Sequence, residues 1–274
     1  MKNRKIIVSL SVLLIFLLSL TACGQTGNQP QDAVGSASPQ KTVEASLTVS
    51  AAASLKDALE EIKEIYSQEK PDIAITYNFD SSGSLQQQIE QGADVDVFIS
   101  AASKQMDELD KKGLIDESSR KDILKNSVVL VIPKGSTGVT DFKDLAEDTV
   151  KKVALGEPKS VPAGQYAEEV LTKFGILEKV KPKSVYGKDV KAVLTWVETG
   201  DADAGIVYET DAKISEKVKI AAKAPEDSHK PVVYPAAIIK ASKNQDASGE
   251  YMSFLSGDKA KAIFEKYGFT FIAK

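Results

Sequence analysis

The side chains that could do chemistry in this sequence are neutral donors, and they stand at turns between strands and helices. Ser54 lies in Ser50-Ala51-Ala52-Ala53-Ser54-Leu55, where a strand gives way to a helix. Ser82 lies in the similar turn Asn78-Phe79-Asp80-Ser81-Ser82-Gly83. Ala163 sits in Val161-Pro162-Ala163-Gly164, where a missing side chain would let a bare amide approach something. Val190 follows Gly187-Lys188-Asp189 and could also offer only its amide, and Tyr208 closes an apolar strand with a phenolic hydroxyl. Helix starts leave amide donors unpaired and carry partial positive charge, so such turns are natural receptors for a small anion. A fully desolvated dianion can be held by short, charge-assisted hydrogen bonds from groups of this kind. Left buried without a partner, each donor would cost on the order of 1–3 kcal/mol. Each residue also has a plainer reading. Ser54 and Ser82 could merely cap their helices, Ala163 and Val190 could be packing residues, and Tyr208 could be a satisfied core tyrosine.

Other chemistries are poorly served. The chain of 274 residues has one cysteine, Cys23, and one histidine, His229, which excludes an intramolecular disulfide, a thiolate cluster and a histidine-rich metal site. Asp94, Asp96 and Asp203 are spaced too widely in and beside strands for paired catalytic carboxylates, and read as caps or lobe contacts. His229 reads as a surface or hinge residue. There is no Gly-x-Ser-x-Gly elbow, no phosphate loop and no His-Glu-x-x-His. Formal net charge is -4; beyond residue 22, 32 basic residues face 39 acidic ones, a net -7. That surface argues against nucleic acid and against a broad cationic funnel, so an anion site must be local and built from directed donors. The expectation is a binding protein with no catalytic residues, no cofactor and no bare metal cation.

The elements that must position these donors alternate in type. Residues 1–22 read as an export signal: Lys2, Arg4 and Lys5 precede an apolar run from Ile6 to Leu20, too short for a stable membrane span. The run ends in Leu20-Thr21-Ala22-Cys23, which resembles the lipobox of bacterial lipoproteins. That resemblance implies cleavage before Cys23, lipidation of its thiol and attachment to the outer face of the cell membrane. Residues 23–44 are polar and read as a flexible tether. From Ala45 onward, strands are expected at 47–50, 73–77, 95–99, 126–132, 152–155, 183–186, 204–208, 218–222 and 231–239. Helices follow most of them, and a last helix is expected over 249–267. Alternation of this kind is the pattern of α/β sheets covered on both faces. About nine strands are too many for one comfortable sheet in this length. Two α/β lobes sharing a cleft fit better, with a ligand beyond the strands' carboxyl ends.

The same residues carry a family likeness. From Leu47 to the carboxyl end, the chain resembles the periplasmic molybdate-binding proteins of ABC importers, the ModA family. Val49-Ser50-Ala51-Ala52-Ala53-Ser54-Leu55 is similar to that family's opening motif, and Phe79-Asp80-Ser81-Ser82-Gly83-Ser84-Leu85 to its second, with Gly83 where the family often has serine. Gly156-Glu157-Pro158 with Val161-Pro162-Ala163-Gly164 is similar to the third, with Glu157 where aspartate is common. Asp189-Val190, Gly205-Ile206-Val207-Tyr208, Pro225–Lys230 and Tyr267-Gly268-Phe269 complete the set. The resemblance implies the two-lobed, type II periplasmic-binding-protein fold with the ligand in the interlobe cleft. Residues 45–126 and 232–274 would form one lobe and 127–231 the other, with crossings near Ser127 and Val232. It implies a molybdate or tungstate ligand held by Ser54, Ser82, Ala163, Val190 and Tyr208, delivery to a membrane permease, and a monomer. The rivals are the same scaffold selecting sulfate or another tetrahedral oxyanion, a surface hydrolase with Ser54 or Ser82 as nucleophile, and a scaffold lipoprotein that binds no ligand.

Overall fold

The computed structural model describes residues 44–273; the expected signal (1–22), the tether up to residue 43 and Cys23 lie outside the described residues. The chain builds one sheet, leaves it for a second, and returns to finish the first. It opens with β1 (Ala45–Ala52), a 3-10 turn at Ala53–Leu55 and α1 (Lys56–Glu69). β2 (Ile73–Asp80), α2 (Ser82–Glu90), β3 (Val97–Ile99), α3 (Ser103–Lys111) and β4 (Lys121–Asn126) follow. The second sheet takes β5 (Val128–Pro133), β6 (Val153–Gly156), then α4 (Pro162–Lys173) and α5 (Leu177–Val180), β7 (Ser184–Gly187), α6 (Val190–Glu198), β8 (Ala204–Tyr208), α7 (Glu209–Lys213) and β9 (Val218–Lys223). The return comprises β10 (Val232–Ile238), α8 (Gln245–Leu255), α9 (Asp258–Lys266) and β11 (Thr270–Phe271).

The first sheet has the order β11-β4-β10-β3-β1-β2 and the second β7-β6-β8-β5-β9. Within each, the strands that feed helices run parallel: β1 with β2 and β3, and β6 with β7 and β8. The crossing strands β5 and β10 pair antiparallel with their neighbours. Helices cover both faces, so β1 buries Leu47, Val49 and Ala51 and also Ser50 and Ala52. α1 lays Ala58, Leu59, Ile62 and Tyr66 on this sheet, the one-faced spacing of an amphipathic helix. Register then sets the level of the turns. β1 and β2 end side by side at Ala52 and Asp80, and β6 and β7 at Gly156 and Gly187. The turns after these strands therefore emerge at one height from each sheet.

Several boundaries differ from the sequence reading, and β3 starts at Val97, two residues later than expected. β1 and β2 run on to Ala52 and Asp80, because parallel pairing absorbs residues whose small or polar side chains look like turn. The single strand expected at 126–132 is two, β4 and β5, broken at Ser127 where the chain changes sheets. β4 itself buries only Ile123 and Leu124, and β11 is two residues long, so neither shows an alternating pattern. The last helix divides at Ser256-Gly257, where Gly257 takes extended backbone and starts α9 afresh.

Candidate functional site

The carboxyl ends of the parallel strands of both sheets meet around one small cavity. From the first sheet come Ala52, Ala53 and Ser54 at and after the end of β1, Asp80, Ser81 and Ser82 at and after the end of β2, and Ala101 after β3. From the second come Val161, Pro162 and Ala163 after β6, Asp189 and Val190 after β7, and Tyr208 at the end of β8. All five residues singled out by the sequence, Ser54, Ser82, Ala163, Val190 and Tyr208, line it together. The cavity is small, on the order of the least that holds one small polar species.

Neither serine is a cap. The 3-10 turn and α1 have no side-chain cap, and Ser54 Oγ instead lies 3.0 Å from the Tyr234 hydroxyl. α2 is capped by Ser81, whose Oγ accepts from the Ser84 amide at 3.3 Å. Ser82 Oγ accepts from the Ala101 amide at 2.9 Å, which leaves its own proton free to point into the cavity. Tyr208 is buried, yet its hydroxyl makes no hydrogen bond to any described protein group. Burial pushes its phenol well above the ordinary tyrosine range, so it stays a neutral donor. The satisfied-core reading of Tyr208 therefore fails. Ala163 and Val190 do pack, both buried, but each also stands in the first turn of its helix. Amides there have no intrahelical acceptor. α4 begins on Pro162 with no side-chain cap, while Asp189 caps α6 on the Ala192 amide at 2.8 Å and so leaves the Val190 amide free.

The lobes touch beyond the cavity. The Gly83 amide donates to the Ser160 carbonyl at 2.8 Å, and a Cβ on Gly83 would sit 2.5 Å from that oxygen. The position where family members often carry serine is thus a close backbone approach, not merely a neighbour of Ser82. Lys191, next to Val190, reaches across to Asp57 Oδ2 at 2.7 Å and lies 3.3 Å from Asp211 Oδ1, an ion-pair distance without hydrogen-bond alignment. Burial raises the Asp211 carboxyl to about 6 against the pull of Lys191. Burial also works against the Lys191 ammonium, but Asp211 and Asp57 outweigh it and hold it above the usual lysine range.

Other candidates take structural places. Asp96 accepts from the Thr48 amide and from Ser242 and Asn244, and Asp203 accepts the Lys151 and Lys152 amides. His229 packs edge-on against Tyr166, its Nδ1 2.7 Å from the Lys230 carbonyl. Sequence reading missed Tyr234, Asn126, Lys191 and Asp211. Their partners lie far along the chain, and no local motif announces such contacts.

Residues 47–270 match the family model of bacterial extracellular solute-binding proteins. The molybdate-binding protein ModA of Haemophilus influenzae is 42% identical over 232 residues, covering 82% of this chain and 90% of that protein. This chain belongs to the ModA family. An ABC transporter substrate-binding lipoprotein of Bacillus subtilis, YvgL, is 47% identical over 261 residues, 93% of this chain and 97% of that one. The solved periplasmic molybdate-binding protein of Azotobacter vinelandii superposes with a TM-score of 0.74 at 27% identity, covering 82% of this chain and 98% of that chain. As a ModA-family member the chain has the two-lobed periplasmic-binding fold, works outside the cytoplasm within an ABC import system, and is a transport binding protein rather than an enzyme.

Proposed function

We propose that this protein binds molybdate, and also tungstate, outside the cytoplasm and delivers the anion to the permease of an ABC importer. The observation that carries the reading is the buried Tyr208 hydroxyl, bonded to no group among the described residues and lining a cavity ringed by donors from both sheets. Ser54, Ser82 and Tyr208 would give hydroxyl protons, and Ala163 and Val190 backbone amides. No bond is made or broken. The dianion exchanges its water for fixed dipoles, which need no counter-charge to be desolvated with them. Contacts with both lobes favour the closed form over the open one, and that difference is what shifts the population. We take 45–126 with 232–274 as one lobe and 127–231 as the other, a division supported by sheet membership. The chain changes sheets between Asn126 and Val128 and again between Lys223 and Val232.

Donors from all five residues favour a fully deprotonated anion over hydrogen phosphate, which offers them one acceptor oxygen fewer. Sulfate carries the same charge and shape, so cavity size must separate it. The hydrolase reading lacks a base: Ser54 is paired with a tyrosine and Ser82 with an amide. Membrane attachment through Cys23 is supported by the lipobox and by the lipoprotein description of the Bacillus subtilis relative. The protein is proposed to act as a monomer. Calorimetric titration of the purified protein with molybdate, tungstate, sulfate and phosphate tests the reading. Tight molybdate and tungstate binding with weak sulfate is expected; tight sulfate binding with no molybdate response would overturn it.

A further inference from the structure

The oxyanion reading leaves open what points the Ser54 proton into the cavity, since a serine hydroxyl can donate or accept. The hydrogen bonds around it decide. Asn126 Oδ1 accepts from the Ser127 amide at 2.8 Å, which fixes which end of that side-chain amide is the nitrogen. Its Nδ2 therefore faces the Thr210 hydroxyl at 2.9 Å and the Tyr234 hydroxyl at 3.2 Å. An amide nitrogen only donates, so the Tyr234 oxygen is an acceptor towards Asn126. The phenolic proton must go elsewhere, and the remaining partner of the Tyr234 hydroxyl is Ser54 Oγ at 3.0 Å. Were Ser54 to donate instead, the Tyr234 proton would be buried with no described acceptor, which is unfavourable. Burial holds Tyr234 far above the ordinary tyrosine range, so that proton is present at any physiological pH. Tyr234 thus donates to Ser54, and the Ser54 proton is left to face the cavity.

We propose that Tyr234, oriented by Asn126, is a positioning residue that fixes Ser54 as a donor towards the oxyanion. The proposal rests on the oxyanion reading above. The relay stands on both crossings between the sheets: Asn126 ends β4 at the first, and Tyr234 lies in β10 just after the second. The second N–H of Asn126 goes to Thr210, two residues past Tyr208. One hinge side chain therefore bonds to groups behind two walls of the pocket, one from each sheet. Ser82 reaches the same polarity by another route, its oxygen occupied by the Ala101 amide.

The test is a double-mutant cycle, with molybdate affinity read by calorimetry in wild type, Tyr234→Phe, Ser54→Ala and the double variant. Phenylalanine keeps the buried ring and removes only the relay. If Tyr234 acts through the Ser54 proton, Tyr234→Phe weakens molybdate binding about three- to tenfold, the worth of the one neutral hydrogen bond that directs Ser54. In the Ser54→Ala background the same change has an effect within about twofold, because coupled residues are not additive. Equal losses in both backgrounds, or no loss in wild type, would overturn the proposal. Asn126→Asp is the second arm if Tyr234→Phe does not fold. It keeps an acceptor for the Ser127 amide but draws the Tyr234 proton away from Ser54, and its loss of affinity must likewise shrink in the Ser54→Ala background. A wild-type protein that ignores molybdate would instead defeat the oxyanion reading itself.

Discussion

Tyr208→Phe removes one oxygen from the wall of the pocket, and the sign of its effect separates a ligand donor from a core tyrosine. A core hydroxyl with a protein partner contributes about 0.5–1.5 kcal/mol, so its loss weakens the fold. Among the described residues Tyr208 has no such partner to lose. A buried orphan instead costs about 1–3 kcal/mol whenever the lobes are closed, and the variant is relieved of it. Stability without ligand should therefore stay level or rise. Towards a dianion the same hydroxyl is worth about 1.5–3 kcal/mol, a loss of roughly 10- to 150-fold in affinity at ~1.4 kcal/mol per decade. The two effects run in opposite directions, which no packing defect imitates. Molybdate at a thousand times the wild-type Kd adds about 4 kcal/mol to stability, and the variant forfeits about 1.5–3 kcal/mol of that. At roughly 2–4 °C per kcal/mol for a folded part of this size, the molybdate-induced rise in Tm shrinks by about 3–12 °C. Scanning fluorimetry with and without molybdate, calibrated by calorimetry, reads both numbers. A variant that melts lower alone yet binds molybdate as wild type does would refute the reasoning.

Ser82→Ala should behave differently, because it strips the Ala101 amide of its acceptor as well as removing a donor. Unfolding in urea should show a loss of about 1–3 kcal/mol even without ligand, beside weaker molybdate binding. Gly83→Ala places a Cβ 2.5 Å from the Ser160 carbonyl oxygen, a backbone atom across the cleft that cannot swing aside as a side chain would. Calorimetry should give at least a tenfold loss of molybdate affinity, while the ligand-free Tm stays within a degree or so, since only the closed form makes the contact. Asp211 titrates at about 6 in the fold, above its unfolded value of about 3.9. The fold prefers the protonated form, so this group's contribution falls as pH rises from about 4 to about 6 and is flat above. Asp211→Asn should therefore gain stability over wild type by up to about 3 kcal/mol across that window in ligand-free urea titrations; a gain that grows as pH falls would contradict the assignment. Finally, the acidic chain repels a dianion at long range. Stopped-flow fluorescence of Trp196 should then show molybdate association quickening from low to physiological salt, as the Debye length drops from about 30 to about 8 Å. Slowing with salt would mean that the local donor field dominates the approach.

The fold was legible wherever a strand was buried on both sides and handed directly to an amphipathic helix. β1 with α1 shows in the sequence because the apolar residues recur at the spacing each element demands, and so does α6, although the edge strand β7 before it buries only Gly187. Legibility fails where stability comes from partners distant in sequence. β4 offers two buried residues and is a strand because β10 and β11 flank it on either side. The break at Ser127 is invisible in the apolar run, since Asn126 and Val128 are both strand residues and only their sheets differ. Gly257 divides the last helix by a change of backbone direction that an uninterrupted apolar face conceals.

The site was legible in its residues and not in its polarity. Five positions could be named because donors recur at turns after strands and the resemblance to the ModA family ordered them around one ligand; register brings those turns level. What no turn discloses is the direction of each hydroxyl proton. That is set by the Ala101 amide behind Ser82 and by a tyrosine 180 residues beyond Ser54. Nor does any motif show that the cation nearest in sequence, Lys191, is bound up with Asp57 and Asp211. With that charge already paired, discrimination falls to dipoles of fixed direction. An ammonium attracts every anion alike, whereas oriented hydroxyls and amides reject any anion that keeps a proton. The acids beside the pocket fit the same logic. Asp80 accepts from the Ser81 amide and Asp189 from the Ala192 amide, so both spend acceptor capacity on helix starts. The amides of Ala163 and Val190 are left without a side-chain acceptor, as the proposed anion site requires.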